Sequence, residues 1–233
     1  MTAGLAGRRI LVTGAGSGIG RAAARLFKDR GADLVLAGRR LAALQETLPD
    51  AVHVVLDHSD DAAVAAFARQ CPELDGMFLN AGELRLGSVA STPISDFDSV
   101  MAANLRGPWL MAHHLGGRLK EGASVVLVGS NIGLRAIPDS AAYSVAKAGI
   151  HMLAKVLALE WAPRRIRCNA IAPGPVRTAM VESRLASSAD PEGDLARLAG
   201  VNPLHRLGTE AEVAALAAHL LSGESGWTTG AVI

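Results

Sequence analysis

Aromatic residues are scarce in this chain of 233 residues: they make up 3% of it, and a single one is a tyrosine. The core must therefore be built from Ala, Leu, Val and Ile, as in parallel sheets that are covered by helices on both faces. Cysteine is also rare, with Cys71 and Cys168 as the two thiols of the sequence. Because two thiols cannot form a disulfide framework and lack metal-site spacing, we expect a reducing compartment and no bound metal.

An excess of charge of one sign is missing too, since 23 Lys and Arg residues stand against 22 Asp and Glu residues. Nucleic-acid binding needs a basic surface that this balance does not provide, so we expect no nucleic-acid partner. We find no targeting signal, and no run approaches the roughly 20 apolar residues that are needed to cross a bilayer. These absences predict a cytoplasmic protein without a membrane partner.

Short β-branched runs alternate with longer helical stretches along the chain, a pattern typical of βαβ units and a parallel sheet. We predict one domain over residues 1–233, with a doubly wound α/β fold, helices on both faces and seven strands in the order 3-2-1-4-5-6-7. Residues 229–233 are expected to begin the seventh strand. Residues 178–204 contain clustered Ser, Asp, Pro and Gly, which predicts an irregular, mobile flap over the site. The other strand candidates are residues 9–13, 33–37, 52–57, 76–80, 124–130 and 167–172.

The segment after the first predicted strand carries Gly14, Gly18 and Gly20, immediately before a predicted helix. Glycine lets the backbone turn tightly and approach a pyrophosphate, which the positive end of the helix attracts. The spacing departs from GxGxxG because position 19 is Ile19. Dinucleotide binding is the favoured interpretation of this turn, and a turn that serves packing alone is the alternative.

Tyr143 and Lys147 are four residues apart, which places phenol and ammonium on one face of a helix. A free phenol has a pKa of about 10, and a nearby lysine together with an oxidised nicotinamide would lower it toward neutrality. Ser130 ends a predicted strand, where a parallel sheet offers a crevice to ligands, and its hydroxyl could donate to a substrate oxygen. The alternatives are a surface Tyr and Lys that merely share a helix face, and a serine that caps a turn.

The order of these motifs resembles that of the short-chain dehydrogenase/reductase family, in its compact single-domain branch. The resemblance begins near residue 8 and continues to the last residue. The matching series is the glycine turn from Thr13 to Gly20, Asp57, Asn80-Ala81-Gly82, Asn104, Ser130, Tyr143 with Lys147, and Pro173-Gly174 with Thr178.

The resemblance implies a role for each matching position. Asn104 would fix a water behind Lys147 and so complete a proton relay from Tyr143. Asp57 would hold the adenine ring, and Asn80-Ala81-Gly82 would back the cofactor ribose. The backbone at Val176 and the hydroxyl of Thr178 would grip the nicotinamide carboxamide and phosphates. An aspartate that caps a helix and an asparagine that is only a satisfied interior residue are the alternatives. The implied catalytic set is Asn104, Ser130, Tyr143 and Lys147, and the implied cofactor-binding set is Gly14, Ser17, Gly18, Ile19, Gly20, Arg39, Asp57, Asn80, Ala81, Gly82, Tyr143, Lys147, Pro173, Gly174, Val176 and Thr178.

Cofactor choice depends on the residues after the second predicted strand. NAD-selective relatives tend to carry an acidic residue there, whereas this chain has Gly38 followed by Arg39 and Arg40. Positive charge suits the additional phosphate of NADP, so we expect NADP(H) as the preferred cofactor and NAD(H) as the second choice. A solvated arginine pair at the start of the next helix is the alternative.

Taken together, the resemblance implies an NAD(P)H-dependent oxidoreductase that interconverts a ketone or aldehyde and an alcohol by hydride transfer. A reductase of carrier-bound 3-oxoacyl chains and a non-catalytic, dinucleotide-sensing regulator are the alternatives, and a sensor has no need for an activated phenol. We expect a small-molecule substrate. Residues 140–161 are apolar almost all round, which predicts burial by the sheet and by a partner subunit in a homodimer or homotetramer.

Overall fold

A computed structural model describes residues 4–233 of the protein, apart from the side chains of residues 180 and 184. Six strands form one sheet within these residues, and every neighbouring pair is parallel. The strands are β1 (Arg9–Thr13), β2 (Asp33–Gly38), β3 (Val52–Val55), β4 (Leu74–Leu79), β5 (Leu119–Val128) and β6 (Arg167–Ile171). Their order in the sheet, β3-β2-β1-β4-β5-β6, is the predicted order of the first six strands.

Helices connect the strands, and several begin at a residue whose side chain caps them. Asp60 accepts a hydrogen bond from the N–H of Ala63, and Thr209 forms a capping box with Glu212. Such caps satisfy N–H groups that the helix itself leaves unpaired. The helices are α1 (Gly18–Asp29), α2 (Leu41–Thr47), α3 (Asp61–Gln70), α4 (Ile94–Met101), α5 (Gly107–Leu115), α6 (Ala141–Trp161), α7 (Ala179–Ala186), α8 (Pro191–Gly200) and α9 (Glu210–Leu221).

The sheet separates two apolar cores. On one face, α3, α5 and α6 pack with side chains such as Phe67, Met111 and Leu153. On the other face, α1 and α9 pack with Phe27, Ala217 and their neighbours. Few of these residues are aromatic, as expected from the composition. Helices on both faces of a parallel sheet confirm the doubly wound α/β prediction.

The predicted seventh strand is wrong as a strand, although the chain does follow its expected path. Val232 pairs with Ala170 of β6 in one isolated parallel bridge. The Ala170 N–H donates to Ala231 O at 2.9 Å, and the Ile233 N–H donates to Ala170 O at 3.1 Å. Because this pairing involves so few residues, it adds a short edge to β6 and leaves a six-stranded sheet.

The prediction of an irregular segment at residues 178–204 is also wrong, because α7 and α8 occupy most of it. The turn-forming residues at its middle start a helix: Asp190 accepts a hydrogen bond from the Gly193 N–H, and Pro191 is the first residue of α8. Proline is favoured at the first helical position because its missing N–H would be unpaired there in any case. The mobility expected of this segment stays a prediction.

Helix α6 is the longest helix of the described residues, and it lies against β5 and β6. By length and composition, residues 141–164 would be able to cross a membrane, so the expectation that no segment has this character is wrong for α6. The core helix of a doubly wound fold has the same character, and half of the apolar stretch is buried within the protein. Its polar residues Tyr143, Lys147 and His151 occupy successive turns of one face.

Candidate active site

In the glycine turn between β1 and α1, the backbone of the first turn of α1 lies directly against the backbone at Gly14. Gly14 and Gly18 have φ angles of +66° and +56°, which glycine adopts at little cost. A β-carbon added at Gly20 would lie 2.2 Å from Gly14 O, so α1 can approach the turn only because position 20 has no side chain. Ser17 precedes α1 without capping it by its side chain. The N–H groups at this helix start therefore face the turn as an anion-binding site.

Residues at the ends of β1 and β4 hold each other in place beside this turn. The Thr13 hydroxyl oxygen accepts the N–H groups of Asn80 and Ala81 at 3.0 and 3.2 Å. The Asn80 side-chain amide donates to Thr13 O at 3.2 Å. A β-carbon at Gly14 would lie 2.9 Å from the Ala81 Cα. Asn80 and Ala81 therefore fix the shape of the turn from the neighbouring strand.

Asp57 and Arg39 lie at the ends of the two outer strands. The Asp57 carboxylate accepts the hydroxyl and the N–H of Ser59 at 2.6 and 2.9 Å, and these bonds lower the pKa of Asp57. Helix α3 is capped by Asp60, so Asp57 does not serve as its cap. Arg39 is exposed, and within residues 4–233 its side chain forms no hydrogen bond or ion pair.

Lys147 is almost fully buried, with 4% of its surface exposed. Its Nζ donates to Val128 O, the last carbonyl of β5, at 2.8 Å, and lies 5.4 Å from the centre of the Tyr143 ring. Burial lowers the pKa of Lys147 to about 8, because a charged ammonium loses its hydration. The predicted pair on one face of α6 is thus present in the fold.

The pKa of Tyr143 is raised by burial, and the nearby Ser130 hydroxyl opposes this effect. In the structure the Ser130 hydroxyl donates to Asn131 Oδ1 at 3.4 Å. The sequence-based expectation of a lowered pKa named both Lys147 and an oxidised nicotinamide. The chain's own groups do not supply that lowering, because desolvation of the phenolate is the larger effect. Tyr143 alone is therefore a protonated phenol at neutral pH.

Asn104 lies in a π-helical turn, Ala102–Arg106, between α4 and α5. Its side-chain amide donates to Glu83 O at 2.7 Å and to Val100 O at 3.0 Å. Its Oδ1 is buried and has no hydrogen-bond partner among the described residues. A β-carbon at Gly82 would lie 2.4 Å from this oxygen and 3.6 Å from Lys147 Nζ. An acceptor that still requires a donor therefore faces the surroundings of Lys147.

The segment after β6 closes the site on its other side. The Asn131 N–H donates to Pro173 O at 3.0 Å, which ties the end of β5 to this segment. Val176 pairs with Gly208 in a parallel bridge, and the Thr178 hydroxyl oxygen accepts the Val181 N–H at 3.3 Å at the start of α7. Thr178 therefore has a local structural partner in addition to its expected role.

Most of these groups line one cavity of about 700 Å³ at the carboxyl ends of the strands. Every expected site residue lines it except Gly20, which packs behind the glycine turn. The size of the cavity, the open helix start and the buried acceptor of Asn104 fit a dinucleotide with its reactive end near Tyr143. The apolar lining includes Leu84 and Leu86, which sequence reasoning missed because they carry no chemical motif. It also includes Ile132 and, from the segment predicted as a flap over the site, Val181 and Leu198.

Comparison with known proteins places this geometry in a family. The model of a family described as enoyl-(acyl carrier protein) reductase matches residues 14–233. An uncharacterized oxidoreductase of Thermotoga maritima is 34% identical over 97% of this chain and 95% of its own length. The crystal structure of levodione reductase matches with 35% identity and a TM-score of 0.89, over 98% of this chain and 95% of that one.

A crystal structure of a short chain dehydrogenase family protein from Francisella tularensis has a TM-score of 0.90 and 28% identity, over 97% of this chain and 96% of that one. Sequence and fold therefore agree over nearly the whole chain. The chain belongs to the short-chain dehydrogenase/reductase family, and it is an oxidoreductase of the kind that uses a nicotinamide dinucleotide.

Proposed function

We propose that this protein interconverts a ketone or aldehyde and the corresponding alcohol, with Tyr143 as the acid/base. The observation that carries the proposal is that Tyr143, Ser130 and the buried Lys147 line one cavity with the glycine turn. A nicotinamide bound there supplies or accepts the hydride. The rest of the chemistry is proton transfer and polarisation by the chain's own side chains.

In the direction of reduction, the Tyr143 hydroxyl donates a proton to the substrate oxygen. Burial raises the pKa of Tyr143, so that this proton is present at neutral pH. Ser130 donates a hydrogen bond to the same oxygen as negative charge develops on it. Lys147 stabilises the phenolate left behind, and the acceptor of Asn104 orients the relay that returns a proton to Tyr143. Oxidation of an alcohol follows the reverse path.

The apolar lining favours a substrate that is small and largely uncharged. Leu84 and Leu86 follow the end of β4, Ile132 follows Ser130, and α7 and α8 contribute Val181 and Leu198. Side chains of this kind bind alkyl or ring carbons through burial of apolar surface.

A panel of ketones and secondary alcohols, assayed by the absorbance of reduced nicotinamide with NAD(H) and NADP(H), tests the proposed activity. We expect turnover of at least one carbonyl compound with apolar substituents. Tight cofactor binding without any turnover would instead favour the regulator, and turnover confined to 3-oxoacyl thioesters would favour the carrier-dependent reductase.

We further propose that NADP(H) is preferred over NAD(H). Arg39 lines the cavity beside Gly38, is exposed, and has no ion-pair partner in the described part of the chain. A guanidinium in this state is available for a phosphate on the ribose, and Gly38 presents no carboxylate to repel that phosphate.

Arg39→Ala is expected to weaken NADPH binding and to leave NADH binding nearly unchanged. The loss of one charge-assisted hydrogen bond of about 1.5 to 3 kcal/mol converts to roughly a tenfold to hundredfold weaker Kd. Fluorescence titration of both cofactors measures the effect. Arg69→Ala, which removes the same charge from an exposed position on α3, is the matched control. Equal or tighter binding of NADH by the unmodified protein would contradict the preference.

The exposed side of α6 supports the expected homo-oligomer. Val145, Met152, Val156 and Leu159 form an apolar stripe along the helix, and 79% of the Leu159 surface is exposed in a single chain. Trp109 on the neighbouring α5 is exposed as well. We propose that a second copy of the chain covers this stripe by symmetric pairing.

Light scattering at micromolar concentration is expected to give at least twice the mass of one chain. Met152→Glu should yield a monomer, because burial of an unpaired carboxylate in the contact costs several kcal/mol. Val89→Glu changes an exposed apolar residue that lies outside α6 and should leave the mass unchanged. A strict monomer for the unmodified chain is the result that excludes this assembly.

A further inference from the structure

His151 is a buried, titratable side chain that the proposed chemistry does not use. It lies on α6 one turn after Lys147, and 4% of its surface is exposed. Its Nε2 accepts the backbone N–H of Ser130 at 3.4 Å. The ring therefore contacts, from behind, the turn that carries the Ser130 hydroxyl.

The ring occupies a slot that two glycines leave open. A β-carbon at Gly129 would lie 2.2 Å from His151 Nε2, and one at Gly133 would lie 2.8 Å from His151 Cε1. Contacts this short are incompatible with a side chain at either position. A β-carbon at Gly133 would also lie 2.6 Å from the backbone carbon of Lys147. Because the two glycines flank Ser130 on both sides, the shape of this turn is matched to the ring and to the α6 backbone that carries it.

The bond to Ser130 specifies the protonation state of the ring. A nitrogen that accepts a hydrogen bond carries no proton, so the ring must be neutral with its proton on Nδ1. Nδ1 is buried without a hydrogen-bond partner among the described residues. A protonated ring would carry a hydrogen on both nitrogens. Nε2 would then be a donor that faces the donor N–H of Ser130, and the hydrogen bond between them would be lost.

The surroundings of His151 keep the ring neutral. Burial lowers its pKa, and the charges of Lys147 and Lys155 on the same helix lower it further. From the turn packed against the ring, the Gly133 carbonyl raises the pKa, and the Ser130 N–H and hydroxyl are uncharged. No described carboxylate contributes to the shift. Since the ordinary pKa of histidine is about 6.5, the ring gains its second proton below that pH.

We propose that neutral His151 is a positioning residue, which holds the turn of Ser130 so that the serine hydroxyl keeps its place beside Tyr143 in the cavity. The inference rests on the proposed function, because Ser130 and Tyr143 are its reacting groups. In this arrangement the imidazole acts through Ser130, and it touches neither substrate nor cofactor. Protonation of His151 releases Ser130 and thereby alters Tyr143.

Tyr143 provides a direct readout, because it is the single tyrosine of the chain. Its ionisation is therefore visible as phenolate absorbance without interference from another tyrosine. The Ser130 hydroxyl beside Tyr143 lowers the pKa of Tyr143, so we expect its displacement to raise that pKa. We expect His151→Leu to shift the absorbance titration to higher pH. His151→Gln places an amide oxygen, which can accept the Ser130 N–H, near the position of Nε2. Its absorbance titration should match that of the unmodified protein.

The pH profile of kcat supplies the second readout. The unmodified enzyme should lose activity as the pH falls below about 6.5, where the ring gains its second proton. His151→Gln cannot titrate and should lack this acid limb. His151→Leu should lower kcat by about tenfold to a hundredfold at every pH, as expected for a misplaced polar group, with the cofactor Kd unchanged. His53→Gln, on the distant edge strand β3, should match the unmodified protein throughout.

Two results would overturn the inference: an unchanged tyrosine titration in His151→Leu, or an acid limb that persists in His151→Gln. If His151→Leu does not fold, His151→Gln decides by both readouts. The absorbance titration needs no substrate, so it tests the link between His151 and Tyr143 even if the proposed activity is wrong. Conversely, turnover that survives loss of the Tyr143 hydroxyl would overturn the activity and leave the titration result standing.

Discussion

Tyr143→Phe is expected to lower kcat by about a hundredfold to ten-thousandfold, which is the usual contribution of general acid/base catalysis. The variant retains the ring, which packs against the cluster that contains Val100 of α4, but loses the proton that the phenol is proposed to donate. Cofactor affinity should stay nearly unchanged, because the hydroxyl serves proton transfer rather than binding. Steady-state assays and cofactor titration measure the two quantities separately.

Ser144→Ala is the matched control for the loss of a hydroxyl. Ser144 is the next residue on α6, but its hydroxyl bonds to Ser140 at 2.9 Å and does not line the cavity. Its removal should leave kcat within a few-fold of the unmodified value. If Tyr143→Phe kept more than about a tenth of the rate on a good substrate, the assigned acid/base would be wrong.

Gly20→Ala is expected to damage cofactor binding although position 20 does not line the cavity. The added carbon would lie 2.2 Å from a backbone oxygen of Gly14, so the glycine turn itself must move. Alanine improves helix propensity by about 1 kcal/mol, whereas overpacking costs about 1 to 3 kcal/mol, so the net effect is destabilising. A displaced turn loses at least one charge-assisted bond to phosphate, and the cofactor Kd should rise by roughly tenfold or more.

Gly117→Ala is the comparison for this variant, because a β-carbon at Gly117 would meet no atom within 4 Å. It should bind cofactor like the unmodified protein. Calorimetry should show a lower Tm for Gly20→Ala, by about 2 to 4 °C for each kcal/mol of lost stability. A Gly20→Ala protein with unchanged Tm and unchanged affinity would show that the turn tolerates the added carbon.

Much of the sheet follows from local pattern. The strand β1 has the bounds predicted for it, since an apolar run of five residues ends at the glycine turn. The start of β5 was missed, because Lys120, Glu121 and Gly122 break the apolar pattern. These three residues lie at a register shift, between the pairs Leu74–Leu119 and Gly76–Ser124 of β4 and β5. Asp190 and Pro191 were interpreted as turn residues although they start α8, since the same residues favour both structures.

The polar part of the site was predictable because its chemistry requires particular residues in a particular order. Tyr143, Lys147 and Ser130 lie where their spacing and strand ends placed them. His151 was not recognised, because its contact with Ser130 depends on how α6 packs against a turn 21 residues away. The slot between Gly129 and Gly133 is likewise a product of packing, for which a single sequence carries no signal.

The weak packing of α8 has a consequence for the evolution of substrate range. None of its residues is buried, although Leu198 reaches the cavity. Amino-acid substitutions in this helix would therefore alter the shape of the cavity and leave both apolar cores intact. Surface substitutions of this kind usually change the free energy of unfolding by less than about 0.5 kcal/mol. The groups proposed to transfer the proton lie on α6 and in the turn after β5, which such substitutions do not touch. With the proposed function, the substrate contacts of α8 and the acid/base lie in separate parts of the chain, so a new substrate can be acquired without rebuilding the acid/base.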